Sequence, residues 1–221
     1  MLSEKERVLI RNFEVSQASN TQIIIVFFDL LQNLKRIDTC QQLLVWLNVL
    51  LEKDAKFTES VQESTKSKAL EILFSLLNKE DIVVQLLAAK ISAGLLLQWK
   101  GDVNISPLLS WCTDNLRHEN LQIADLVVQF IQILLWVPSR KMEIFSNVGL
   151  MGLMIETLQK FNSNSQIQYQ IIYCIWLLSF EEDIAESLDR QHHITPILIE
   201  IAQNAIKEKV VRVIASVFKV K

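Results

Sequence analysis

The residues of this chain best suited to hold a metal or act as nucleophiles are three histidines and three cysteines, and their spacing argues against both uses. His192 and His193 are adjacent, with Cys174 and Asp189 upstream. A zinc site takes four ligands, at short, regular spacings, and neighbouring helical residues point apart, so the pair reads as a loop or helix-start element. His118, between Arg117 and Glu119, reads as solvated. Cys40, Cys112 and Cys174 lie far apart inside apolar runs and lack Cys-x-x-Cys spacing. A nucleophilic cysteine needs a base and a lowered pKa, which apolar surroundings oppose. These three read as small buried thiols of a reducing compartment. Four scattered glycines cannot build a phosphate-cradling loop. With no polar constellation in sight, the sequence predicts a non-catalytic chain without cofactor or metal.

What remains is binding chemistry. A polar strip through Gln166, Gln170 and Tyr173 recurs at helical spacing within an otherwise apolar segment. Amide and aromatic groups there suit recognition of a partner, and equally a hydrogen-bonded seam between stacked helices. Glu208 and Arg212 form a second candidate patch. The basic tail (Lys207, Lys209, Arg212, Lys219, Lys221) is interrupted by Glu208 and reads as a solvated helix face. A net charge of −3 gives no general pull towards nucleic acid or anionic lipid.

These residues must be positioned by helices. The chain is 50% hydrophobic with 4 Gly and 3 Pro among 221 residues, a composition for long buried helices. Mean hydropathy is +0.25, yet the densest apolar stretch, Ile167–Phe180, is shorter than the roughly 20 residues a membrane span needs. The start, MLSEKERVLIRNFEVS, has no apolar signal-peptide core. Asp38 reads as an N-cap; Asn104 or Ser106 with Pro107, and Thr195-Pro196, read as helix openings. Gly101 and Gly149 fall at helix boundaries, and Pro138 stops the run ending at Trp136. Ile23–Phe28 and Val210–Val213 are β-branched, so a helix there depends on tertiary packing.

The pattern repeats. Trp99, Trp136 and Trp176 each stand near the C-terminal end of an apolar run, 37 and 40 residues apart. Gly149-Leu150, Leu153 and Glu156-Thr157 are echoed 44 residues on by His193-Ile194, Ile197 and Glu200-Ile201. A period of 40–47 residues is that of armadillo and HEAT repeats. On a helix over Gln166–Phe180, Ile167, Ile171, Cys174, Ile175 and Leu178 cover one side; Tyr169, Ile172, Trp176 and Phe180 cover another. Such a helix must be packed on most sides, with Trp176 in the core. Lys207–Lys219 is amphipathic, as near an open end of the stack. The expected architecture is all-α, a single right-handed armadillo/HEAT-like solenoid over 1–221. An uncapped last repeat implies that the natural product continues or that a partner covers this end.

The final sixty residues carry the most specific pattern: QIQYQIIYCIWLLSF, then ITPIL, then KEKVVRVIASVF. Gln168-Tyr169, Ile175-Trp176-Leu177-Leu178, Phe180, Pro196, Lys207-Glu208-Lys209-Val210 and Arg212 resemble, in order and spacing, the signature region of the H subunit of the vacuolar-type proton ATPases. Earlier segments resemble it more loosely: Ile10, Phe13 and Glu14; Leu77-Asn78 with Asp81; Ala88-Ala89; Trp99 and Trp111. The resemblance implies a non-catalytic regulatory protein whose N-terminal solenoid docks on the peripheral stalk of subunits E and G. A second helical domain, absent here, would reach towards the membrane sector and its subunit a. It also implies a cytoplasmic location on the cytosolic face of vacuolar or endosomal membranes, held by protein partners without membrane insertion. Docking is then the assignable role; the inhibitory switch is not. The alternative is a generic armadillo/HEAT adaptor for endocytosis or trafficking. Importin-type grooves pair each Trp with an Asn four residues on, whereas Trp99, Trp136 and Trp176 are followed there by Val103, Arg140 and Phe180, which lowers that rival.

Overall fold

The computed structural model describes residues 21–220, all of whose regular elements are helical. Ile10, Phe13 and Glu14 lie outside the described residues. The chain forms two compact units, one ending at Leu108 and one beginning at Leu109.

The first unit holds α1 (Thr21–Asn33), α2 (Ile37–Lys53), α3 (Phe57–Thr65), α4 (Lys68–Leu76) and α5 (Ile82–Gln98). The β-branched start of α1 is helical because Ile23, Ile24, Phe27 and Phe28 are all buried. There, packing overrides propensity. Helix α2 packs on α5, and α1 packs on α3. A Cβ on Gly94 would stand 2.6 Å from Leu51 Cδ2, so α2 and α5 approach closely at that point. Asp81 caps α5, accepting from Val84 N at 2.8 Å and from Gln41 Nε2 at 3.0 Å. Asp38 does not cap α2: the helix begins at Ile37, which puts Asp38 in its first turn, and Arg36 instead holds the Asp38 carboxylate at 2.6 Å.

Helix α6 (Ser106–Leu116) opens with Asn104 Oδ1 accepting from Ser106 N, as the Asn-x-Ser-Pro pattern predicts. The second unit continues with α7 (Leu121–Leu135), a 3-10 turn (Pro138–Arg140), α8 (Lys141–Phe145), α9 (Leu150–Lys160), α10 (Ser165–Leu178), α11 (Glu182–His192), α12 (Ile194–Asn204) and α13 (Glu208–Val220). Helix α10 is flanked by α7 and α13, and α9 also packs on it. The echo between Gly149 and His193 is structural. Each precedes a helix in the left-handed region, at φ 86° and 49°. His193 thus adopts a backbone that suits glycine.

The repeat length is written in the side-chain bonds between neighbouring repeats. In the first unit, Lys68–Asp29, Gln41–Asp81, Lys90–Glu52 and Lys100–Glu59 join residues 38 to 41 apart. In the second, Lys141–Glu181, Lys209–Gln166 and the Cys174 thiol to Val128 O join residues 40 to 46 apart. Each element thus lies against its counterpart about one period away, the nearest-neighbour stacking of a repeat protein.

Candidate functional site

Asn164 starts α10, accepting through Oδ1 from Gln166 N at 2.9 Å and Ile167 N at 3.2 Å. One side of the helix is core: Ile167, Ile171, Cys174, Ile175 and Leu178 are buried, as expected. The other apolar side divides. Ile172 is buried, but Tyr169 and Trp176 are only half-buried and Phe180 is 51% exposed. Trp176 is therefore not core. Periodicity identifies an apolar face, but only neighbouring helices decide whether it is covered, and α7 and α13 leave this edge open.

The open edge carries a continuous row of rings. Tyr169, Tyr173, Trp176 and Phe180 fall at i, i+4, i+7 and i+11, and span roughly 16 Å along the helix. Their centroids are 6.0 Å (Tyr169–Tyr173), 5.1 Å (Tyr173–Trp176) and 5.1 Å (Trp176–Phe180) apart, within the range of favourable tilted and edge-to-face pairs. Trp136, 55% exposed just past the end of α7, joins the row 6.5 Å from Tyr173. Both ends carry a cation. Lys209 Nζ, from α13, stands 4.9 Å from the Tyr169 centroid and donates to Gln166 Oε1 at 2.7 Å. Lys141 Nζ, from α8, stands 5.6 Å from the Phe180 centroid and pairs with Glu181 at 3.0 Å.

Gln166, Gln170 and Tyr173 share this edge of α10. Gln166 is exposed and held by Lys209; Tyr173 is inside the row; Gln170 Oε1 is buried and accepts no hydrogen bond from the protein. Burial raises the Tyr173 hydroxyl pKa above its ordinary value. Glu208 and Arg212 pair with each other along α13 at 2.7 Å, and both are well exposed. Sequence reading missed Lys209, Lys141, Trp136 and the openness of Tyr169, Trp176 and Phe180. On α7, Asp125 Oδ2 accepts from Gln129 Nε2 at 2.8 Å, whereas the buried Oδ1 accepts from nothing in the protein. Asp125 shares a shallow cleft with Gln166, Ile167 and Asn164. Beyond Phe180 lies a larger cleft of about 740 Å³, lined by Glu182, Glu186, Asp189, Arg190 and Val220.

Among the described residues, the histidines and cysteines are not drawn together into a cluster. Burial pushes the Cys112 thiol up to about 12 and raises those of Cys174 and Cys40. His192 stands edge-on to Phe145 at 6.4 Å, and burial lowers its pKa. Among the described residues no group of three His, Cys, Asp or Glu is placed to hold a metal. No single described helix is long and apolar enough to cross a membrane.

The sequence model of the V-ATPase H subunit family matches residues 1–219. The chain belongs to that family. The H subunit of the V-type proton ATPase of Drosophila melanogaster is 29% identical over 236 residues, covering 99% of this chain and 48% of the relative. That of Dictyostelium discoideum is 26% identical over 210 residues, covering 91% and 47%. The chain thus spans about half the length of these curated relatives. Among solved structures, a designed armadillo repeat protein in complex with peptide (KR)4 matches with a TM-score of 0.73 at 15% identity, over 93% of this chain and 89% of that one. A structure from work on a phosphorylation switch between cadherin and beta-catenin matches with a TM-score of 0.69 at 15% identity, over 100% of this chain and 43% of that one. These likenesses establish the fold of this V-ATPase H family member as all-α and armadillo-type, the class its periodicity predicts.

Proposed function

We propose that this chain is a non-catalytic, structural and regulatory part of a vacuolar-type proton ATPase, docking on the peripheral stalk of subunits E and G. In that role it helps couple ATP hydrolysis to proton transport, and works on the cytosolic face of vacuolar or endosomal membranes through protein contacts alone. Residues 1–221 act together as one armadillo-like docking domain. The observation that carries the docking face is the aromatic row of Tyr169, Tyr173 and Trp176 on α10, continued by Phe180 in the turn after it. A partly exposed stripe of large rings, some with polar groups, is the composition that anchors protein interfaces. Its length fits about three turns of a partner helix laid along it.

Calorimetric titration of the chain against reconstituted E–G stalk tests this. Micromolar or tighter binding, lost when Tyr173 and Trp176 are both replaced by serine in a chain that keeps its helical circular dichroism, supports the reading. A folded chain that leaves the stalk unbound points instead to the armadillo adaptor role, in which the same row serves another partner.

A further inference from the structure

The aromatic row ends in exposed charge of opposite sign at its two limits. At the far end, Phe180 is both the last ring of the row and one wall of the cleft of about 740 Å³. Glu182 and Glu186, one turn apart on α11, line that cleft with it. Both are exposed, and among the described residues neither is in an ion pair. The carboxylate that answers Lys141 is that of Glu181. Asp189 accepts from Thr195 N at the start of α12, and Arg190 sets one guanidinium against three carboxylates. Like charges four residues apart on a helix repel, so a cation from outside relieves Glu182 and Glu186. Phe180 and Ala185 give the same cleft an apolar wall. Carboxylates beside an apolar wall complement a side chain with an aliphatic stem and a cationic head. At the near end the exposed charge is positive. Lys209 lies over the Tyr169 ring and donates to the neutral amide of Gln166, and no described carboxylate pairs with it. Glu208 beside it is taken by Arg212. Asp125, in the shallow cleft with Gln166, is half-buried, with one oxygen shielded and the other bonded to Gln129.

We infer that the partner docked on this edge is an amphipathic helix with a lysine or arginine in the cleft beyond Phe180 and a glutamate or aspartate at Lys209. The inference rests on reading this edge of α10 as the docking face, and adds the partner's charge pattern to it. Tyr169 to Phe180 covers roughly 16 Å, so the two charges stand about 11 residues apart on the partner, about three turns, which keeps both on its docked face. An apolar stripe between them covers the rings. The basic stem lies along Phe180 and Ala185, and its head reaches Glu182 and Glu186. A helix with the charges in the opposite order meets like charge at both ends, so the pattern fixes how the partner lies along α10.

The test uses helical peptides of about 18 residues that share one leucine stripe and differ at two positions about 11 residues apart. These hold glutamate and lysine, glutamate and glutamine, glutamine and lysine, or glutamine twice. Binding to the whole chain is read by tryptophan fluorescence and calorimetry. Each charge should tighten binding roughly threefold over the neutral peptide, the scale of an exposed ion pair, and the gain should shrink with added salt. The dependence should be crossed. Glu182→Gln with Glu186→Gln should abolish the lysine gain and keep the glutamate gain, and Lys209→Met should do the reverse, in chains of unchanged helicity. A neutral peptide that binds as well as the charged ones, gains that survive their own variant or fall together in either, or no binding of any peptide at millimolar concentration would overturn the charge pattern. The E–G stalk is titrated in parallel. Stalk affinity that is lost on replacing Tyr173 and Trp176 with serine but unaltered in both charge variants removes the pattern and leaves docking in place. Crossed peptide binding by a chain that leaves the stalk unbound removes the stalk and keeps the pattern.

Discussion

Lys209 on α13 donates to Gln166 Oε1 at 2.7 Å and holds its charge 4.9 Å from the centre of the Tyr169 ring, so one ammonium group ties the first turns of α10 to the next repeat. Lys209→Met keeps the aliphatic stem and removes both contacts. The expected loss is about 0.5–1 kcal/mol, the scale of a cation–π contact at an exposed site. Urea unfolding of the two proteins measures it, and identical midpoints would show the tie to be energetically idle.

Two substitutions on α10 separate its packed side from its open edge. Ile171 is fully buried, so Ile171→Ala leaves a cavity and should cost about 2–5 kcal/mol. Trp176 is larger but half-buried on the open edge. Trp176→Ala should cost less, about 1–2 kcal/mol, because only part of its contact area is lost. The order of the two unfolding midpoints is the readout; a Trp176 variant less stable than the Ile171 variant would return that ring to the core.

The difference between those residues marks where the sequence was legible. Helix boundaries at Pro107, Pro138, Gly149 and Asn104 followed from local chemistry, since proline and positive-φ positions constrain the chain wherever they occur. The repeat was legible in Trp99, Trp136 and Trp176, which end or nearly end α5, α7 and α10. The misreading of Asp38 was also local, because Arg36 two residues away competes for its carboxylate. Coverage was not legible. Ile172 and Trp176 occupy the same apolar side, and which one is buried depends on the neighbouring helices. Lys209 and Lys141 were missed because their partners lie 43 and 40 residues away. The period itself held the signal, since one repeat length carries Gln166 onto Lys209.

Asp81 joins two repeats through a single carboxylate, capping α5 at Val84 N while accepting from Gln41 of α2. The Gln41 hydrogen bond, then the backbone bond to Val84, holds its pKa below the ordinary aspartate value. A depressed folded-state pKa means the stabilisation is present above the unfolded value, near 3.9, and fades as pH falls through the folded one. Asp81→Ala should therefore cost about 1 kcal/mol at pH 7. The gap between variant and parent should narrow in acid, as urea midpoints at pH 7 and pH 3 would show. A gap that stayed constant would mean the cap does not depend on the carboxylate charge.

The buried thiols give the opposite pH dependence. Cys112 is raised to about 12 and Cys174 is also raised, by burial in each case. Their protonated forms are favoured in the folded chain, so the stability they confer is complete below the unfolded thiol value of about 8.5. It is lost as pH rises from there towards the folded values, when the unfolded chain sheds protons that the folded chain retains. Cys112→Ala should flatten the decline in stability between pH 8.5 and 10, whatever it costs at neutral pH. A thiol-reactive dye should label Cys112 and Cys174 only on unfolding; rapid labelling of the native chain would contradict their burial.

Gln166, Gln170 and Tyr173 lie on the open edge of α10, whereas Glu208 and Arg212 neutralise each other within α13. The two patches should therefore respond differently to truncation. Replacing the first three with alanine removes the Lys209 anchor point, one unfilled acceptor and the central ring of the row. Stalk affinity should fall at least tenfold, equivalent to about 1.4 kcal/mol, with the helical signal kept. The Glu208→Ala/Arg212→Ala double variant removes a solvent-screened pair that satisfies itself, of the kind that contributes little, and should bind within about twofold of the parent. Calorimetry against the E–G stalk measures both. A reversed order, with the double variant weak and the triple variant unaffected, would move the docking face from the aromatic row of α10 to the exposed charged face of α13.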